Sequence, residues 1–337
     1  MLSFSPSAAK KQVELVSPYI QIPKNVNTFD FDALYIDEYF ILKNIAGYIF
    51  KKYIDMSKLE ISEELLTKFI GLICDNYNRN HFHNFQHAVN ILQMTYNLLL
   101  ESNLINKLKP IIVFACLVAA ISHDVDHPGN TNSYEVNSLS QNAILYNDNS
   151  VLENHHCTLT FELLNNVGLL KYFKGEQLRE FRKTIIICIL NTDMSKHNEF
   201  ITKFDKLNFD SATYTNDEQY FIVSAFLHTA DLSNSIKDFN TSFEWSKRIS
   251  LEFYEQTVKE EIEGLPSLSF MKVHDNLTMC LNEINFITNI SIPMWKLVKN
   301  KIAELGFLLD RCNNTLEHWK KLEERYISEN DINNLMY

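Results

Sequence analysis

The segment Ile121-Ser122-His123-Asp124-Val125-Asp126-His127-Pro128-Gly129-Asn130 sets two imidazoles and two carboxylates within five residues, behind an apolar run from Ile111 to Ile121. Carrying so many ionisable groups at the end of an apolar helix is costly unless something offsets their desolvation. A divalent metal is the usual solution. Adjacent His123 and Asp124 offer a nitrogen and an oxygen ligand at one corner. Taken alone, the segment also fits a polar helix end capped before Pro-Gly.

Two further groups narrow the choice. His83 and His87 are four residues apart, which on a helix places both rings on one face. The apolar segment 220–230 ends in His228-Thr229-Ala230-Asp231, so a lone carboxylate closes it. One histidine on an apolar face is ordinarily a core residue. Three such sites, each at the end of an apolar helix, make coincidence a poor explanation.

His83-Asn84-x-x-His87, His123-Asp124-x-Asp126-His127-Pro128-Gly129, Leu152-Glu153-Asn154-His155-His156, Thr192-Asp193-Met194-Ser195 and Asp231-Leu232-Ser233-Asn234 follow in order. The series resembles the catalytic domain of class I 3′,5′-cyclic-nucleotide phosphodiesterases, within the wider group of His-Asp metal phosphohydrolases, from about residue 70 to 325. The resemblance implies an all-α domain around a two-metal pocket. It implies that His87, His123, Asp124 and Asp231 hold the tighter metal, zinc by its ligand types. Asp124 would bridge to a second metal, magnesium or manganese, held mainly through water. His127, Glu153 and Thr192 would orient that water. A hydroxide between metals about 3.5–4 Å apart would attack in line, and His83 would protonate the O3′ leaving group as general acid. Whether His155 or His156 points inward is open, as is any role for His228. His197, His274 and His318 stand in polar contexts and read as solvated.

Asn234, Ile249 and Phe286 match family positions that face, cover and stack on a purine. Glu283 stands where family members carry glutamine, and Asn285 where they carry glycine. An ionised carboxylate can accept both N1–H and the 2-amino group of guanine. Adenine sets a donor beside an acceptor and leaves one oxygen facing a lone pair. The expected reaction is hydrolysis of a purine cyclic nucleotide, cGMP ahead of cAMP, to the 5′-monophosphate. A Glu283 turned to solvent or paired with a cation would leave base choice to other contacts. A catalytically dead sensor has no use for His83 beside a full ligand set, and a hydrolase of linear nucleotides has none for this pocket.

Composition agrees. Lys and Arg total 31 against 42 Asp and Glu, a net charge of −11, which disfavours a nucleic-acid polymer or an anionic membrane as partner. The six cysteines show no C-x-x-C pair and read as buried free thiols of a reducing, cytoplasmic compartment, although a parent protein could be membrane-associated. Oligomeric state is open, a homodimer included.

Only 7 Gly and 7 Pro interrupt the 337 residues, so long helices are expected, about 14–16 of them in one domain. Residues 1–18 read as a disordered tail and 19–337 as the catalytic domain. Helices are expected over Phe29–Tyr53, Ser62–Tyr77, His87–Leu100, Pro110–His123, Leu139–Tyr146, Val151–Val167, Glu176–Thr192, Asp217–Asp231, Ser242–Glu261, Asp275–Ile290, Pro293–Leu308 and Arg311–Tyr326. Phe204–Asn216 reads as a loop. The irregular span Lys259–Asp275, with Gly264 and Pro266, reads as a mobile loop, and the resemblance places it beside the substrate pocket.

Overall fold

The computed structural model describes residues 22–335 except 210 and 212, so the expected tail and the start of the domain at Tyr19 lie outside the described residues. The described chain forms fourteen α-helices and no strand: α1 (Tyr39–Ser57), α2 (Glu63–Asn76), α3 (Phe85–Glu101), α4 (Pro110–Ser122), α5 (Asn132–Asn137), α6 (Gln141–Tyr146), α7 (Val151–Asn166), α8 (Gly175–Leu190), α9 (His197–Asp205), α10 (Asn216–Asp231), α11 (Phe239–Glu263), α12 (Asn276–Phe286), α13 (Ile292–Lys301) and α14 (Gly306–Leu335). Polar side chains start many of them. Ser62 caps α2 ahead of Glu63 and Glu64, Pro110 opens α4, and Thr215 with Glu218 forms a reciprocal capping box on α10.

Three helices are buried all round: α3 over Phe85–Leu99, α4 over Ile111–Ser122 and α10 over Gln219–Ala230. A helix apolar on every face belongs at the centre of a large bundle. The others pack around this trio, α8 against both α4 and α10, and α1 against α3. All six cysteines are buried free thiols, as expected. No helix among the described residues is long and apolar enough to cross a membrane.

The expected helix over Phe29–Tyr53 begins only at Tyr39. Residues 29–38 lie instead against α3, whose buried amides satisfy their backbone. Asn90 accepts from Ala33 N–H at 2.7 Å, Gln86 donates to the Leu34 and Ile36 carbonyls, and Gln93 donates to those of Val26 and Thr28. Backbone groups paired in this way need no helical ladder. Further on, Asp275–Ile290 divides into α12 and a π turn at Ile287–Ser291, and Pro293 sits in the first turn of α13. The break expected after Leu308 lies earlier. Ile302 takes an extended conformation and is buried together with Leu305 before α14 begins at Gly306.

His197 is a further correction, since it is buried rather than solvated. Its Nδ1 donates to His228 Nε2 at 2.9 Å, while His228 Nδ1 donates to the Asn191 carbonyl. Burial, helped by His228, pulls His197 down to about 4. His274 and His318 are exposed, as read.

Candidate active site

The three central helices end at one place. Asn84 caps α3 by accepting from Gln86 N–H at 2.9 Å and His87 N–H at 3.1 Å, which fixes His87 in the first turn. His123 caps the end of α4, and Asp231 is the last residue of α10. His123 Nδ1 donates to the Ala120 carbonyl at 2.9 Å, so its Nε2 carries a free lone pair in the neutral ring. That Nε2 lies 3.2 Å from His87 Nε2, 3.0 Å from Asp124 Oδ2 and 3.4 Å from Asp231 Oδ1. His87 Nε2 lies 3.5 Å from Asp124 Oδ2 and 3.2 Å from Asp231 Oδ1.

Lone pairs so close repel unless protons or a cation lie among them. Burial opposes charge on the carboxyls, but the neighbouring imidazoles hold Asp124 and Asp231 below the ordinary carboxylate range. Despite its own burial, His123 is lifted well above the usual histidine value by Asp124 and Asp231. The donor set also fits a metal. Tetrahedral zinc with bonds of about 2.0–2.1 Å needs ligand atoms about 3.3 Å apart, and the observed separations of 3.0–3.5 Å bracket that value.

His83 stands just before α3, stacked on His127 with ring centroids 3.9 Å apart. Its Nδ1 donates to Glu252 Oε2 at 2.6 Å, which leaves Nε2 free to carry a second proton. Glu252, buried on α11, also accepts from the backbone N–H groups of Phe82 and His83. Burial alone would lower His83, but the Glu252 carboxylate, backed by Asp124 and Asp231, lifts it to about 9. Glu252 was not singled out from the sequence. Its only signal there is an acid between Leu251 and Phe253, with Ile249 one turn earlier on the inner face.

The loop after α4 is tied to the loop before α3. Asn80 donates to both the His83 and His127 carbonyls, and Gly129, at φ 76°, lies so close that a Cβ would sit 3.4 Å from Asn80 Oδ1. Asp126 takes a left-handed φ of 61° and accepts from His155 Nε2 at 2.9 Å. The open question about the two adjacent histidines is therefore answered: His155 faces Asp126, and buried His156 points inward, its Nε2 3.8 Å from Asp124 Oδ1.

His127, His156 and Asp124 bring three ligand atoms within 4.8 Å of one another, a second place for a cation beside the first. Burial and the His83 charge push His127 well below the usual histidine value. Asn132 donates to both Glu153 oxygens, and burial with the Asp193 charge raises Glu153 to about 7. Thr192 is buried and donates to the Ile189 carbonyl, leaving its oxygen lone pairs available. Beyond Asn132, a cavity of about 540 Å³ runs past Asp193 and Gln256 to Pro266, Ser267 and Leu268. The irregular span after α11 lines this cavity.

Ser246, Ile249 and Glu252 recur at three-residue steps along α11, about 9 Å from first to last at 1.5 Å per residue. At one end the Ser246 hydroxyl bonds the Glu283 carboxyl of α12, and at the other Glu252 bonds His83. Asn234 lies three residues beyond Asp231, in the turn Ser233–Ile236. Phe286, one turn after Glu283, is 37% exposed, and Ile249 is half-buried. The spacing matches a nucleotide laid with its base at one end and its phosphate at the other.

Comparison with known proteins agrees with this geometry. A family model for 3′5′-cyclic nucleotide phosphodiesterase matches residues 82–312. The chain is 31% identical over 265 residues to a cGMP-specific 3′,5′-cGMP phosphodiesterase 3 of Dictyostelium discoideum, covering 78% of this chain and 57% of that protein. It is 33% identical over 291 residues to the human high affinity cAMP-specific and IBMX-insensitive 3′,5′-cyclic phosphodiesterase 8A, covering 79% of this chain and 35% of that protein. The chain thus spans only about a third to a little over half of these relatives. The crystal structure of the phosphodiesterase domain of the RhoPDE fusion protein from Salpingoeca rosetta superposes with a TM-score of 0.84 at 35% identity, covering 91% of this chain and 98% of that one. This chain belongs to the 3′,5′-cyclic nucleotide phosphodiesterase family.

Proposed function

We propose that the chain hydrolyses a purine 3′,5′-cyclic nucleotide to the 5′-monophosphate, cGMP in preference to cAMP. The observation that carries this reading is the pairing of two neighbouring groups. Four ligand atoms of His87, His123, Asp124 and Asp231 converge within 3.5 Å, and beside them stands a histidine held protonated by Glu252.

His87, His123, Asp124 and Asp231 hold the tighter metal, zinc by ligand type. Asp124 also reaches a second, magnesium or manganese, and His127, Glu153 and Thr192 orient its water. Bound metals supply Lewis-acid charge against the phosphoryl oxygens and activate the attacking water. His83 holds a proton on Nε2 at neutral pH and delivers it to O3′ as the ester bond breaks. Glu252 keeps that ring oriented and charged. Asn234, Ile249, Glu283 and Phe286 hold the base. All these side chains come from one chain, so the reaction needs no second copy.

The test is to follow cGMP and cAMP turnover side by side, with and without a chelator. Formation of both 5′-monophosphates, faster from cGMP and abolished by the chelator, is expected. Turnover untouched by exhaustive metal removal would overturn the reading.

A further inference from the structure

The base-facing wall of this chain carries an acid, and its surroundings leave that acid free to change charge. Glu283 lies on α12, which packs against α11 and α14. From α11 it meets the Ser246 hydroxyl. The titratable groups that register its charge are the thiols of Cys280 on α12 and Cys312 on α14. Burial pushes these thiols up to about 12 and about 11, so both stay neutral at physiological pH. Glu323 of α14 acts on Cys280 rather than on Glu283. The π turn Ile287–Ser291 that continues α12 contains no ionisable residue. Among the described residues no cation acts on Glu283.

A carboxyl in this setting presents two different hydrogen-bonding faces. Ionised, it only accepts, and so matches the adjacent N1–H and 2-amino donors of guanine. Protonated, it offers one donor and one acceptor. The acceptor then takes the 6-amino group of adenine while the hydroxyl donates to N1. The same form also serves guanine, accepting from N1–H and donating to O6. Given that Glu283 faces the base, as in the proposed function, we propose that its ionisation state selects the nucleotide, admitting guanine in either form and adenine only when protonated.

The balance is set by burial, which raises the carboxyl, against the Ser246 hydrogen bond, which lowers it. The outcome is about 7. The carboxyl is therefore protonated below neutrality and ionised above it. Falling pH should open the site to cAMP while leaving cGMP turnover with only the pH dependence of the shared hydrolytic centre.

The experiment measures kcat/KM for both nucleotides on the metal-loaded chain between about pH 6 and 8.5. Taking the ratio cancels titration of the shared centre. The cGMP-to-cAMP ratio should rise by up to about tenfold per pH unit above the midpoint, and in Glu283→Gln it should be flat. A pH-dependent ratio in both proteins would place the titrating group elsewhere and overturn the proposal. A flat ratio in the unmodified chain that nevertheless changes in Glu283→Gln would overturn the switch while leaving Glu283 as a base contact. A flat ratio unaltered by the substitution would remove Glu283 from base recognition and overturn both readings.

A second measurement needs no variant. Calorimetric titration with 5′-AMP and 5′-GMP near pH 8, in buffers of different ionisation enthalpy, reads proton uptake. Since the phosphates are shared, extra uptake with 5′-AMP supports the switch, and equal uptake contradicts it.

Discussion

The metal-ligand cluster and the base-facing wall differ in how the fold holds them. His87 and His123 are 1% and 0% exposed and sit at the ends of α3 and α4, both buried on every side. Moving either ring means disturbing the centre of the bundle. The base wall is built from the eleven-residue α12, interrupted by a π turn and showing Asn285 and Phe286 at the surface. Asn234, by contrast, is fixed by its place just beyond the ligand Asp231 and belongs to both regions. The chemistry is anchored in the core and base choice lies towards the rim. A substitution at the rim can therefore change the preferred nucleotide while leaving the cluster intact, which is the relation between Glu283 and His123.

The largest expected effect comes from the core side. Asp124→Ala removes the carboxylate that faces both candidate metal positions, so turnover and metal content should be lost together, with a lower melting temperature in the presence of metal. An active, metal-replete Asp124→Ala would break the contrast, because the cluster would then tolerate loss of its central member.

Glu252→Gln comes next. It removes a charge-assisted hydrogen bond worth about 1.5–3 kcal/mol, or roughly one to two decades in rate, with metal content retained. The sign of the pH effect is fixed. His83 acts while protonated and is lost as pH rises through its value of about 9, which Glu252 sustains. The alkaline limb of the kcat profile should therefore move to lower pH. An unmoved limb would mean that Glu252 only packs against the ring.

Phe286→Ala should be the mildest. A stacked base is worth about 1–3 kcal/mol, and partial exposure places Phe286 at the low end. KM should rise about tenfold for both nucleotides, with kcat nearly unchanged. A fall in kcat at constant KM would join the rim to the chemistry and erase the distinction.

The cluster was legible in the sequence because its residues are too costly to bury for packing alone, and they end uniformly apolar segments whose helical nature is plain. Ligand types and chain order were enough to bring His87, His123, Asp124 and Asp231 together. Glu252 was not, since it lies 169 residues from His83 and no local pattern joins them. The irregular segment before Tyr39 was misread for a related reason. Its aromatic periodicity resembles a helix, but its backbone partners are the side chains of Gln86, Asn90 and Gln93 on α3, which become visible only after folding. His197 shows the same limit. Polar neighbours along the chain say nothing about His228, 31 residues away, which receives its proton.

The division of labour between His83 and His87 is the centre of the account, and metal analysis with single-turnover rates on their two alanine variants tests it directly. His83→Ala should keep its metals and lose about 10²–10⁴ in rate. His87→Ala should lose metal, and activity with it. Metal loss in His83→Ala together with retention in His87→Ala would contradict the assignment.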